Sequence, residues 1–136
     1  MHLFFYGVLR EGVARWDFLD GLGHGVAGTT MGMLYAIPSG AKWYPALIPS
    51  EGRDAVVVRG SLHEAGAVDL LAVDEFEGPD YERRDLAIET PEGRRTAEVY
   101  VWISELPTQA VLIPHGDFVR WLAETGNRPL SEIEDR

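Results

Sequence analysis

The chain has 136 residues, 46% of them apolar and 25% charged, and its 12 Lys and Arg against 22 Asp and Glu give a net charge of −10. That length reads as one domain, residues 1–136, large enough to bury its own core. The acidic balance argues against broad contact with nucleic acid or an anionic membrane, and the absence of cysteine excludes disulfides and thiolate metal or redox sites. No apolar run approaches membrane-spanning length, and MHLFFYG lacks the basic leader of a signal peptide. A reducing cytoplasm fits this composition and is the expected location.

Residues 3–6 form a short apolar run that reads as a fully buried strand. It ends at Gly7, and Val8, Leu9, Arg10, Glu11 and Gly12 follow as a loop. A strand running into a glycine turn exposes successive backbone N–H groups, which suit a carboxylate or another anion. The ordinary alternative is a plain strand-ending turn. Residues 13–22 pattern as a short helix with Trp16 and Leu19 on one face. Residues 25–37 hold strand material, with Met31, Met33 and Tyr35 alternating against Gly32 and Leu34. Both faces are apolar, as in a barrel or a covered sheet. Pro38, Ser39 and Gly40 read as a turn. The run from Trp43 through Tyr44 to Ile48 is either core with an edge proline or the wall of a pocket. Residues 51–54 are a loop, and 55–62 a strand in which Gly60 marks a bulge or a close approach.

The stretch 68–77 reads as a helix stopped by Gly78, with Pro79 behind it. Glu77 falls on the Leu70–Val73 face, which is apolar apart from Asp74. A carboxylate at that place meets the negative end of the helix dipole. Dipole and partial burial both disfavour its ionised form, so its pKa is expected to rise toward the range where it can carry protons. The ordinary reading is a solvated helix end followed by a charged turn holding Tyr81 and Arg83. Residues 84–89 and 95–103 then pattern as two strands around Thr90-Pro91-Glu92-Gly93, a hairpin signal. Ala97, Val99, Val101 and Ile103 share one face, and Glu98, Tyr100 and Trp102 the other. Asp117 is the expected N-cap of a last helix with Phe118, Trp121 and Leu122 on its stripe and Gly126 at its end. The tail, 128–136, is polar and expected to fray. Strands, an inserted helix, more strands and a closing helix amount to an α+β chain around a small, mostly antiparallel sheet or barrel.

His2, His24, His63 and His115 show no ligand spacing, so no histidine metal site is expected. Asp74, Glu75, Glu77 and Asp80 lack the pattern of a calcium loop. No serine sits in a nucleophile elbow, and no phosphate-loop or dinucleotide fingerprint is present.

Three segments together resemble the γ-glutamylcyclotransferase-like superfamily. Phe5-Tyr6-Gly7-Val8-Leu9-Arg10 is similar to its N-terminal YG-x-L loop. Gly32 to Gly40, with Tyr44-Pro45-Ala46-Leu47 shortly after, forms the second piece. Leu71 to Arg84 is similar to its LD-x-x-EG…Y-x-R segment, and Gly116-Asp117-Phe118 also resembles a family feature. The match runs over about residues 3–120. It implies a small mixed β-barrel with flanking helices, and a cavity in which the loop and the glutamate meet. It implies that Glu77 is the catalytic acid/base, that Tyr6, Gly7, Val8 and Leu9 hold substrate, and that Tyr44, together with Tyr81 and Arg83 in the segment after the glutamate, binds it as well. Tyr44, with Trp43, Tyr100 and Trp102, is expected to shape the pocket. Val8 stands where relatives often carry Ser or Thr, so only backbone donors remain there, and Val73 replaces a Leu common before the Asp. The activity implied is cyclisation of a γ-glutamyl group to 5-oxoproline with release of an amine or amino acid. No metal, other cofactor or covalent intermediate is implied. The partner is a small γ-glutamyl molecule, with the chain a monomer or homodimer. The alternatives are an enzyme restricted to γ-glutamyl-amines or to a biosynthetic deprotection, and a non-catalytic binding module on the same barrel.

Overall fold

The computed structural model describes residues 1–7 and 21–126, with the backbone of 128–129. The helix expected over 13–22 lies outside the described residues up to position 20, and Gly21 and Leu22 are not helical. The described elements are β1 (His2–Phe5), β2 (Val26–Ser39), β3 (Lys42–Pro49), β4 (Val56–Glu64), α1 (Leu70–Glu77), β5 (Tyr81–Thr90), β6 (Gly93–Trp102), β7 (Val111–Leu112), α2 (Phe118–Thr125) and β8 (Arg128–Pro129).

Five of these strands close on themselves, in the order β4-β1-β6-β5-β2 and back to β4. β1 lies between β4, to which it is antiparallel, and β6, to which it is parallel. Leu3, Phe4 and Phe5 are buried on both faces of the strand, which is why this short segment shows no alternation. Closure between β2 and β5 is narrow. It is made by the Thr29–Glu89 pairing and by the Thr30 hydroxyl, which donates to the Ala87 carbonyl at 3.0 Å.

β2 is 14 residues long and serves two partners. Its first half pairs with β4 and its second half with β3 and β7. Of the turn expected at Pro38-Ser39-Gly40, Pro38 and Ser39 are still strand and only Gly40 belongs to the turn. Ser39 pairs with Lys42, and the hairpin turns on Gly40 and Ala41. Gly40 has φ +62°, and left-handed backbone of this kind gives a two-residue hairpin the strand twist it needs. Pro38 is tolerated inside the strand end because its missing N–H falls next to the turn. The second hairpin, β5–β6, turns at Pro91-Glu92 with Thr90 opposite Gly93, as the turn residues anticipate. β5 begins earlier than expected, at Tyr81. Tyr81 and Arg83 therefore stand on a strand, two residues apart on one face, and not in a turn. In β4, Gly60 marks close approach and no bulge, because the register with β2 runs unbroken through Gly28–Gly60. Ile103 falls beyond β6 and is exposed, unlike Ala97, Val99 and Val101.

Both described helices end at the expected glycines, and α2 begins at its expected cap, but α1 begins at Leu70, two residues later than expected, because Asp69 caps it. The Asp69 carboxylate caps α1 by accepting from the Ala72 N–H, and the Gly78 N–H closes the last turn on the Asp74 carbonyl. Asp117 caps α2 by accepting from the Arg120 N–H at 3.1 Å, and Gly126 ends it with φ +72°. Phe118, Trp121 and Leu122 bury the apolar stripe of α2 in the main core, where the Trp121 ring meets Trp43 of β3 edge-on at 5.2 Å. Asp117→Ala is expected to lower stability by about 1 kcal/mol, measured as a reduced urea midpoint at unchanged slope. A cost below a few tenths would show that the cap does not hold this helix. Of the tail, Arg128 and Pro129 pair in parallel with Lys42 and Trp43 as β8, and the remainder lies outside the described residues.

Candidate active site

Glu77 is the last residue of α1, and the sequence leaves it little freedom. Gly78 turns the chain with φ +85° and ψ −177°, so the helix cannot continue past the glutamate. Val73, one turn earlier, is fully buried in the main core, and Leu70 and Phe76 pack against the same cluster. That anchoring turns the end of the helix toward the barrel. Glu77 is partly buried, and among the described residues nothing donates a hydrogen bond to its carboxyl. Burial chiefly, and the charge of Asp74 next, push its pKa up to about 8. The expectation that this carboxyl binds its proton tightly agrees with that environment, with desolvation as the main cause.

Two phenols lie near it, that of Tyr6 buried and that of Tyr81 partly buried. Tyr6 directly follows β1. Its hydroxyl donates to the Tyr100 carbonyl and accepts from the Leu47 N–H at 3.3 Å. Tyr81 opens β5, and its hydroxyl donates to the Pro45 carbonyl. Burial first pushes both phenols well above their usual range. The Glu77 charge adds to the shift in each, and for Tyr81 that of Tyr6 does as well. Both are thus neutral at any working pH, and each places its one proton on a main-chain oxygen. They wall the site and orient strands; they do not compete with Glu77 for protons.

Gly7 is buried beside them. A Cβ there would stand 2.5 Å from Pro45 Cγ, so only glycine lets the chain leave β1 against β3. Pro45 is therefore a meeting point, with its carbonyl taken by Tyr81 and its ring against Gly7. Val8 and Leu9, expected to continue the substrate-holding loop, lie outside the described residues.

The structure brings Tyr6, Gly7, Glu77 and Tyr81 together, sets Tyr44 apart from them and commits Arg83 to neighbouring carboxylates. Tyr44 belongs to the opposite face of β3 from Pro45 and Leu47, and packs with Ile37, Ala46 and Trp102 in a second apolar cluster. Its ring lies 6.2 Å from that of Trp102, and its pKa is raised by burial and then by Asp80. Tyr81 touches the same Trp102 edge-on at 5.3 Å, so Tyr44 stands one layer behind it. Arg83 is engaged by carboxylates. Its Nε and Nη2 fork onto Asp74 at 2.7 and 3.2 Å, and its Nη1 reaches Glu98 at 3.0 Å. Tyr100 donates from its hydroxyl to the same Asp74 at 2.5 Å. A groove of about 720 Å³ opens beside this network, between the end of α1 and the start of β5, with Asp74, Gly78, Tyr81, Arg83 and Tyr100 on its walls.

Tyr100 is expected from sequence only to shape the pocket, and Asp74 is not expected in the site at all. The one available signal was the three-residue spacing from Asp74 to Glu77, which puts both carboxylates on one helix face. Among the described residues no group of three His, Asp or Glu side chains is arranged to hold a metal ion. Among them, too, no helix is long and apolar enough to cross a membrane.

The model of the family described as "Gamma-glutamyl cyclotransferase, AIG2-like" matches residues 3–120. Among solved structures, an AIG2-like protein from Mus musculus is similar over 96% of this chain and 95% of its own, with a TM-score of 0.75 and 21% identity. YkqA from Bacillus subtilis is similar over 92% of this chain, with a TM-score of 0.68 and 21% identity, and the chain spans only 42% of its length. Allophanate hydrolase from Kluyveromyces lactis is similar over 91% of this chain and 21% of its own, with a TM-score of 0.71 and 13% identity. At these identities the likeness shows a shared barrel fold. Among curated proteins none matches the chain.

Proposed function

The chain belongs to the gamma-glutamyl cyclotransferase, AIG2-like family, and on that premise we propose that it cyclises a γ-glutamyl group to 5-oxoproline and releases the attached amine or amino acid. The family supports a cyclotransferase-like function. The observation that carries the specific reaction is Glu77. It is a partly buried carboxyl with no hydrogen-bond donor of its own among the described residues, held at a helix end between two neutral phenols, with its pKa near 8.

The chemistry needs one group that takes a proton and returns it. The substrate's α-amino group is an ammonium at neutral pH, with an ordinary pKa of about 8. A carboxyl tuned to the same range exchanges a proton with it at little cost in either direction. Glu77 accepts that proton. The freed amine attacks its own γ-carbonyl carbon, a new C–N bond closes the five-membered ring, and the bond to the leaving amine breaks as Glu77 returns the proton to it, while the second proton shed by the ring nitrogen also ends on the released amine, which leaves as an ammonium. Backbone N–H groups after Gly7, at Val8 and Leu9, hold the α-carboxylate or the developing oxyanion. Val8 carries no hydroxyl, so main-chain donors alone do this work. Folding the substrate into a ring-forming pose supplies proximity.

The test is release of 5-oxoproline from a library of γ-glutamyl amino acids, amines and dipeptides. For a substrate that turns over, kcat/KM is expected to fall about tenfold per unit as pH drops below about 8, because Glu77 must be ionised to begin. An acidic limb near pH 4.5 would remove the tuned carboxyl from the mechanism. Saturable binding of γ-glutamyl compounds with no 5-oxoproline formed would instead identify a binding module on the same barrel.

A further inference from the structure

We propose that Asp74 is a positioning residue for Glu77: Arg83 and Tyr100 hold its carboxylate against the β5–β6 hairpin, and this fixes a permanent negative charge one helical turn before the acid/base. The inference rests on the reading of Glu77 as the proton carrier and assigns Arg83 a role other than substrate contact.

The geometry starts from strand pairing. Arg83 and Tyr100 face each other in the β5–β6 ladder, and Glu98 lies two residues from Tyr100 on the same face. Their side chains converge on α1. Arg83 meets both oxygens of Asp74 in a fork, a fit a lysine does not reproduce. The Tyr100 hydroxyl takes a further lone pair of Oδ1. Asp74 is thus fixed from two strands at once, while its own carbonyl accepts the Gly78 N–H that closes the last helical turn. On a helix, side chains three residues apart are neighbours, with Cβ atoms about 5–6 Å apart, so the charge of this fixed carboxylate is felt at Glu77.

Among the described residues, the groups facing Glu77 are Asp74 on α1, Tyr6 after β1, Tyr81 on β5 and Tyr100 on β6. The three phenols are neutral, so Asp74 is the one that brings charge. Burial opposes the ionised form of Asp74, but the bond from Tyr100 and the bonds and charge of Arg83 outweigh it and hold its pKa below the usual value. Asp74 is therefore ionised throughout the range in which Glu77 titrates, and its charge keeps the Glu77 proton on to higher pH.

Carboxyl carbon NMR of the intact protein tests this without any substrate, so its outcome is separate from that of the turnover assay. The Glu77 resonance is assigned by its loss in Glu77→Gln. In Asp74→Asn, which keeps shape and an acceptor for Arg83, the Glu77 midpoint is expected to fall by about one pH unit. Glu92→Gln removes the same charge in the exposed hairpin turn and is expected to leave the midpoint in place. Arg83→Met leaves Asp74 charged and is expected not to lower it. Should Asp74→Asn fail to fold, the wild-type titration decides: Asp74 is expected to be ionised before Glu77 begins to lose its proton. A midpoint that stays or rises in Asp74→Asn, or an Asp74 that titrates above Glu77, overturns the proposal.

Discussion

Glu77→Gln is expected to lower kcat/KM for γ-glutamyl cyclisation by about 10³-fold, within the range general acid/base groups contribute. The amide keeps the shape of the carboxyl but can neither take a proton from an ammonium nor hand one to a leaving amine. Binding should survive, so the loss is expected in kcat with KM little changed. A stability measurement separates this from unfolding. The folded pKa of Glu77, about 8, lies above its ordinary value of 4.5. The fold therefore favours the protonated form. The penalty for ionising it is absent below about pH 4.5 and grows as pH rises to about 8. The full shift corresponds to about 5 kcal/mol. Part of the side chain reaches solvent, so the difference is expected to be on the order of 2 kcal/mol at pH 9. Wild type should thus lose stability between pH 5 and 9, while Glu77→Gln does not and becomes the more stable of the two at pH 9. An inactive variant that is also less stable at pH 9 would point to damage and not to a missing base. Wild-type turnover in Glu77→Gln would end the proposed mechanism.

A large effect on stability is expected at Gly60→Ala, a loss of about 3 kcal/mol or more in urea unfolding. Gly60 and Gly28 face each other across β2 and β4, and the Phe4 ring lies over both. A Cβ on Gly60 would stand 2.2 Å from the Phe5 carbonyl oxygen and 2.7 Å from Phe4 Cζ. The first obstacle is main chain inside a ladder, so it cannot move without opening β1 from β4. At Gly28 the nearest obstacle is Ile88 Cγ2 at 2.8 Å, a side-chain methyl and not main chain. Gly28→Ala is expected to cost about 1 kcal/mol. The contrast isolates the cause, since both changes add the same methyl to the same face-to-face pair. Equal costs at the two positions would show that the Phe5 carbonyl is not the limit on barrel closure.

What the sequence revealed follows from how local each signal is. Caps are written within four residues, so Asp117, Gly78 and Gly126 mark their helix ends correctly, while the start of α1 at Asp69 falls two residues inside the stretch that reads as helix. The Pro91-Glu92 hairpin is local too. Glu77 was legible because its face, its helix end and its family motif all coincide on one residue. β2 was harder. Pro38 and Ser39 look like turn chemistry, yet the conformation that needs a special residue falls one step later, at Gly40. Tyr81 and Arg83 look like a charged turn because Gly78 and Pro79 precede them, and only pairing with β6 shows that the strand has already begun. The Asp74 network was out of reach of pattern. Its members lie 9, 15 and 26 residues apart and meet only through the β5–β6 register. Likewise Tyr44 and Tyr81 look alike in sequence, and the pleat of β3 decides which of them stands at the front of the site.

The two-turn helix that ends on Glu77 has a consequence for how the chain can diverge. It is tied at Asp69, at Val73 and at Gly78, with no slack between them. One inserted or deleted residue inside that interval would rotate everything after it by about 100° and carry the carboxyl off the barrel. The exposed stretch at Glu51–Asp54 carries no such restriction. Descendants of this protein should therefore change length there freely and conserve the count from Asp69 to Gly78 even where its letters drift, so that a ruler finds distant kin better than a motif does.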